Sequence, residues 1–124
     1  MKILESAENY LEAVLIIKQS KGHVRAIDIV NYLGFSKPSV SVAMKQLETN
    51  GYITRNEDGH IFLTNTGFEI AEKIYERHSL LNKIFLHMGV SEKNASEDAC
   101  KIEHDLSQET FECIKKYFSN LNID

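Results

Sequence analysis

Gly34-Phe35-Ser36-Lys37-Pro38-Ser39-Val40-Ser41-Val42-Ala43-Met44-Lys45-Gln46-Leu47-Glu48-Thr49 carries a helix stop and a helix start within a few residues. Gly34 can take the left-handed conformation that closes a preceding helix, and the Ser36 hydroxyl can cap the next one. Pro38 is tolerated in a first turn, where no intrahelical N–H partner exists. Val40, Ala43, Met44 and Leu47 recur at helical spacing and make an inward stripe, which turns Pro38, Val42, Lys45 and Thr49 outward with Ser39 and Ser41 on the flanks. The stretch therefore reads as the turn and second helix of a helix-turn-helix. A helix with a small, polar outer face enters the DNA major groove, about 12 Å wide, without steric conflict. On this reading Ser36, Pro38, Ser39, Ser41 and Val42 lie at base edges, and Lys37 and Lys45 contact phosphates.

Upstream, Arg25 to Leu33 reads as the first helix of the motif. Before it a longer helix, capped by Ser6 and running to about Ser20, places Tyr10, Ala13, Val14 and Ile17 on one face. Downstream, Gly51 to Arg55 and His60 to Leu63 are β-prone runs around Asn56-Glu57-Asp58-Gly59, whose Asp-Gly is a strong hairpin signal. They form a wing, with Arg55 toward a phosphate and His60 as a solvated turn residue. The net charge of −4 conceals a division: Lys18 to Arg55 contains six bases and two acids, which leaves −8 for the remainder. A basic patch on an acidic body can hold phosphates while limiting non-specific adhesion.

Thr64 or Thr66 caps a long helix that runs to about Met88, where Gly89 stops it; Ile70, Ile74, Leu81, Ile84, Phe85 and Met88 give it an apolar side. At about 1.5 Å per residue it exceeds roughly 30 Å, more than a winged domain covers. Ser91 to Phe118 supplies the continuation. It contains a helix with Cys100, Glu103 and His104, a break near Asp105-Leu106, and a Ser107-capped helix with Phe111, Ile114, Tyr117 and Phe118. These faces exceed what a monomer of this length buries, so the region is expected to form a homodimer. Two recognition helices about 34 Å apart would then match a pseudo-palindromic operator in double-stranded DNA. The tail from Ser119 to Asp124 is expected to fray. The fold class is mainly α with a small β-hairpin wing: a winged helix-turn-helix over 1–67, then a helical metal-binding and dimerisation domain over 68–124, the long helix being shared from about 65 to 88.

Cys100, Glu103 and His104 stand at i, i+3 and i+4, within an arc of about 100° on a helix. A thiol, a carboxylate and an imidazole on one face can grip a divalent transition metal and leave positions open for a second element. The same residues also fit a small buried cysteine beside two surface polar side chains. Cys113 falls about 220° around from Cys100 on a continuous helix, so it is expected in the core, with both thiols reduced. His87 is a surface or core residue. No Gly-rich phosphate loop, nucleophile elbow or HExxH helix appears, which argues against an enzyme. No apolar run reaches membrane-spanning length and the N-terminus turns acidic early, so a cytoplasmic protein without membrane contact is expected.

The chain resembles the diphtheria toxin repressor family of metal-dependent transcriptional repressors, in its short form without the SH3-like domain. Glu8-Asn9-Tyr10-Leu11-Glu12, Pro38-Ser39-Val40, Leu63-Thr64-Asn65-Thr66-Gly67, Arg77-His78-Ser79-Leu80-Leu81 and Cys100-Lys101-Ile102-Glu103-His104-Asp105-Leu106-Ser107 carry the resemblance. It implies a metal corepressor, Fe²⁺ or Mn²⁺, held by Asn9, Glu12, His78, Cys100, Glu103 and His104, with Zn²⁺ or Co²⁺ able to bind in vitro. Cys100 looks like the iron-responsive branch; Glu12, His78 and the short length look like the manganese-responsive one. An iron-type ancillary site would need an acid at 82 and a histidine at 96, where this chain has Asn82 and Ser96. The competing expectation is a winged-helix regulator that senses an organic ligand or an oxidant through Cys100.

Overall fold

The structure, a computed structural model, describes residues 5–119. In chain order it comprises α1 (Glu5–Lys21), α2 (Ala26–Leu33), α3 (Lys37–Thr49), β1 (Ile53–Arg55), β2 (Ile61–Leu63), α4 (Asn65–His87), α5 (Glu92–Ile102) and α6 (Gln108–Ser119). It divides into two compact units, 1–73 and 74–124, and the division falls within α4. The expected fraying of the tail concerns residues that, from position 120, lie outside those described.

The first unit closes around Leu11, Val14, Val24, Ile29, Val40, Met44, Ile53 and Ile61, which are buried together. Its turns are made by local chemistry. Gly34 sits at φ +73° and its N–H bonds Val30 O, closing α2. Two residues on, the Ser36 Oγ accepts from the Ser39 N–H at 3.3 Å and opens α3. At the start of α2 the Arg25 N–H donates to Asp28 Oδ2 at 2.9 Å. Ser6, expected to cap α1, instead lies inside that helix. The wing pairs antiparallel, Ile53 with Leu63, Thr54 with Phe62 and Arg55 with Ile61. Asn56 Oδ1 shapes its tip, accepting from the N–H groups of Asp58 and His60 at 3.0 and 2.9 Å. Ile61 N–H bonds Val24 O at 2.8 Å, which ties β2 to the α1–α2 connection. His60 is half-buried, its ring 5.5 Å from that of His23. Thr64, not Thr66, caps α4: its Oγ1 accepts from the Gly67 N–H at 3.1 Å. Gly67 has no room for a side chain, since a Cβ there would fall 2.0 Å from Tyr52 O.

The second unit buries Ile74, Leu81 and Ile84 of α4, Ala95 and Ala99 of α5, and Phe111 of α6. Gly89, at φ +99°, ends α4 as expected. Ser91 and Ser107 cap α5 and α6 by accepting from Asn94 N–H and Thr110 N–H at 3.4 and 3.1 Å. Three expectations are corrected here. Cys113 is exposed rather than in the core, because α6 turns Phe111 inward and Cys113 lies two residues round from it. Met88, past the end of α4, is 68% exposed and Tyr117 64%, so neither joins the apolar interior of this unit. Finally, α5 ends at Ile102, so Glu103 caps the helix and His104 stands in the turn that follows.

Candidate metal centre and nucleic-acid interface

Although α5 stops early, Glu103 keeps helical dihedrals (φ −60°, ψ −27°) and its N–H still bonds Ala99 O. The spacing argument therefore survives the loss of the helix. One ligand atom each from Cys100, Glu103 and His104 lies within 4.8 Å of the others. Cys100 is exposed, which removes the alternative of a small buried hydrophobe, and the His104 side chain is 2% exposed. Glu103 is fully buried. Its Oε2 is 2.9 Å from His78 Nδ1 and its Oε1 is 3.4 Å from His104 Nε2, so one carboxylate sits between two imidazoles. Oε1 accepts no hydrogen bond among the described residues.

A buried carboxylate oxygen without a donor is costly unless a cation answers it. The neighbours here are a thiol and imidazole nitrogens, the donors that transition metals prefer and Ca²⁺ or Mg²⁺ do not. The donor set thus fits a divalent transition metal. Asn9 and Glu12, the other two residues of the implied set, lie one turn apart on α1, Asn9 half-buried and Glu12 buried. His87 is exposed. Sequence reasoning gave no role to Arg77, which is 4% exposed and bonds the carbonyls of Glu103 and Leu106. A signal was present: Ile74, Arg77, Leu81 and Ile84 share the apolar stripe of α4, and a cation on such a stripe needs buried acceptors.

On α3, Ser36, Lys37, Pro38, Ser39, Ser41, Val42 and Lys45 are all exposed, while Val40, Met44 and Leu47 face the core. The Ser36 hydroxyl donates to Ser39 Oγ at 2.9 Å, so the capping serine is also engaged sideways. Gln46, given no role in the sequence reading, lines shallow surface depressions with Val42 and Lys45 and with Pro38 and Ser39. Arg55 pairs with Glu48 of α3, Nη2 to Oε1 at 2.8 Å, which fastens the wing to the recognition helix.

Comparison with known proteins places both halves. Residues 2–61 match the iron dependent repressor N-terminal DNA binding domain, and residues 64–124 match the iron dependent repressor metal binding and dimerisation domain. An HTH-type transcriptional regulator of Methanocaldococcus jannaschii is 38% identical over 114 residues, covering 90% of each chain. The transcriptional regulator MntR of Escherichia coli O157:H7 is 32% identical over 113 residues, 91% of this chain and 73% of that protein. Among solved structures, T. acidophilum IdeR superposes with a TM-score of 0.80 at 22% identity over 96% of this chain. A manganese-dependent transcriptional repressor in complex with manganese superposes with a TM-score of 0.82 at 22% identity over 91%. The chain spans 55% and 52% of those two structures, and at that identity they show the fold alone. No helix among the described residues is long and apolar enough to cross a membrane. With a DNA-binding domain and a metal-binding dimerisation domain matched in succession along its length, the chain belongs to the iron-dependent repressor family, the diphtheria toxin repressor group of metal-dependent transcriptional regulators.

Proposed function

We propose that this protein is a homodimeric repressor whose binding to a pseudo-palindromic operator is switched on by a divalent transition metal, Fe²⁺ or Mn²⁺. The observation that carries the reading is the fully buried Glu103 carboxylate set between His78 and His104, with Cys100 beside it, in a chain of this family. Cys100, Glu103, His104 and His78 hold the metal, and Glu12 and Asn9 complete the set that the family resemblance implies. A bound dication offsets the charge of the carboxylates and thiolate and holds their donor atoms in one arrangement.

The residues prepare that step. Glu103 presents a buried carboxylate whose Oε1 accepts no hydrogen bond among the described residues, and any proton on a ligating imidazole nitrogen or on the thiol must leave when a metal enters. Metal that prefers the DNA-competent conformation shifts the population toward it by its differential affinity, typically about 1–3 kcal/mol per coupled site. On the DNA side, Ser36, Pro38, Ser39, Ser41 and Val42 read base edges, and Lys37, Lys45 and Arg55 hold phosphates. Met88, Ile102 and Tyr117, apolar and exposed in the second unit, supply surface for the dimer.

Titration of the metal-free protein with Mn²⁺, Fe²⁺, Co²⁺ and Zn²⁺ under anaerobic conditions, read out by binding to its own promoter, tests the reading. Affinity should rise with added metal and fall again with chelator. Equal DNA binding at every metal concentration overturns it. Control of binding by peroxide, insensitive to chelator, would instead favour sensing through the exposed Cys100.

A further inference from the structure

Two of the metal-centre donors, Glu103 and His104, stand on a turn rather than on the helix that precedes it. The helical ladder reaches Glu103 N–H, which bonds Ala99 O, and beyond it the turn keeps the Asp105 N–H to Ile102 O bond along the main chain. Arg77 supplies side-chain bonds to the carbonyls on either side. From α4 its Nη1 donates to Glu103 O at 2.9 Å and to Leu106 O at 2.8 Å, and its Nη2 donates to Gln108 Oε1 at 3.1 Å. Its guanidinium carbon lies 5.2 Å from the centre of the Phe111 ring, so the same side chain rests against α6. The two carbonyls bracket the turn, one on the ligand Glu103 itself and one two residues past His104.

The site for Arg77 is an expensive one. The residue is 4% exposed, its Nε is buried with no acceptor, and its acceptors among the described residues are two main-chain carbonyls and one amide rather than a carboxylate. Burying a guanidinium against neutral acceptors is costly, and an apolar side chain of similar length would continue the stripe of Ile74, Leu81 and Ile84. What an apolar side chain lacks is the planar fork that can bond several acceptors at fixed angles. Arg77 is also the neighbour of His78 on α4, so one turn of helix carries a ligand and the group that fixes two others.

We infer that Arg77 is a positioning residue of the metal centre: it holds the Glu103–Leu106 turn in the ligating arrangement, and metal affinity depends on it. The inference rests on the metal reading above. Partners that orient ligands from outside the coordination sphere are commonly worth about 10–100-fold in metal affinity.

The test compares wild type, Arg77→Lys and Ile84→Ala, titrated with Co²⁺ in competition with a chelator while the cysteine-to-cobalt charge-transfer absorption is recorded. Arg77→Lys keeps the charge but cannot bond two carbonyls and an amide in one plane. It should keep its helical circular dichroism, bind Co²⁺ about 10–100-fold more weakly and show an altered charge-transfer band. Ile84→Ala opens the interior of the same unit but removes no hydrogen bond to the turn, and should bind within about twofold of wild type. Unchanged Co²⁺ affinity in Arg77→Lys, or an equal loss in Ile84→Ala, overturns the inference. If Arg77→Lys does not fold, Gln108→Ala decides with Glu112→Ala as its control, since Gln108→Ala removes the Nη2 acceptor together with a surface bond to Glu112 Oε1 and Glu112→Ala removes only the latter: a few-fold weaker binding in Gln108→Ala alone supports the clamp and unchanged binding overturns it. A wild-type protein that binds no Co²⁺ removes the metal centre itself, and the clamp with it.

Discussion

Glu103 lies between His78 Nδ1 at 2.9 Å and His104 Nε2 at 3.4 Å, and its burial makes it the ligand whose loss should be felt most. Glu103→Gln removes the charge and keeps the shape. Metal affinity should fall by about 100-fold or more, beyond the range usual for an outer partner, while the metal-free protein loses little stability because a buried charge has gone. Isothermal titration and thermal melts of the metal-free protein measure the two halves of that expectation; retained affinity would remove Glu103 from the site. Cys100 bears on which metal acts. A thiolate where a carboxylate could stand softens the site and favours Fe²⁺, Co²⁺ and Zn²⁺ over Mn²⁺, and Asn9, being neutral, adds no charge for a dication. Fe²⁺ should therefore activate operator binding at lower concentration than Mn²⁺, with Cys100→Glu narrowing or reversing the order. Should Mn²⁺ be the stronger activator in both proteins, ligand softness does not set selectivity.

Between elements, the junction of α1 and α2 depends on Asp28. Its Oδ1 is 2.6 Å from Lys21 Nζ and its Oδ2 accepts the Arg25 N–H. The Lys21 hydrogen bond is the main cause that holds this carboxyl below its ordinary value of 3.8; the Arg25 amide adds to it, and burial opposes it. A folded-state value below the unfolded one means stability that is present above about pH 4 and lost as pH falls through the lowered value. Asp28→Asn should thus melt lower than wild type at about pH 7, and the gap should close as the pH approaches about 2. Parallel melting curves across that range would show that Asp28 contributes nothing through its charge. On α3, Lys45 is exposed and pairs with no acid among the described residues, which suits it to a phosphate. Lys45→Ala should weaken binding to all DNA sequences alike and lower the slope of log affinity against log salt by about one. Identical slopes would take Lys45 out of the interface.

For the molecule as a whole, the proposed dimer would set the spacing of two recognition helices. Inserting five base pairs between operator half-sites puts the second half-site on the opposite face of the duplex. Affinity should drop toward that of a single half-site, a loss of about 100-fold or more in a gel-shift titration, and a ten-base-pair insertion should not behave like the five. Affinity independent of spacing would contradict a symmetric dimer. Much of this architecture depends on interactions within four residues, and those the sequence by itself determined. Ser36, Ser91 and Ser107 cap helices, Gly34 and Gly89 end them, and Asn56 to Gly59 turns the wing, because each acts on backbone groups close along the chain. The Cys100, Glu103 and His104 set was legible for the same reason. Only the tertiary structure decided where α5 stops, since Arg77, 26 and 29 residues before the carbonyls it binds, holds the turn that follows. It also placed His78 against Glu103, 25 residues away, engaged Arg55 with Glu48 and turned Cys113 outward. These outcomes depend on which faces pack together, and neither helical period nor capping chemistry encodes a partner so far along the chain.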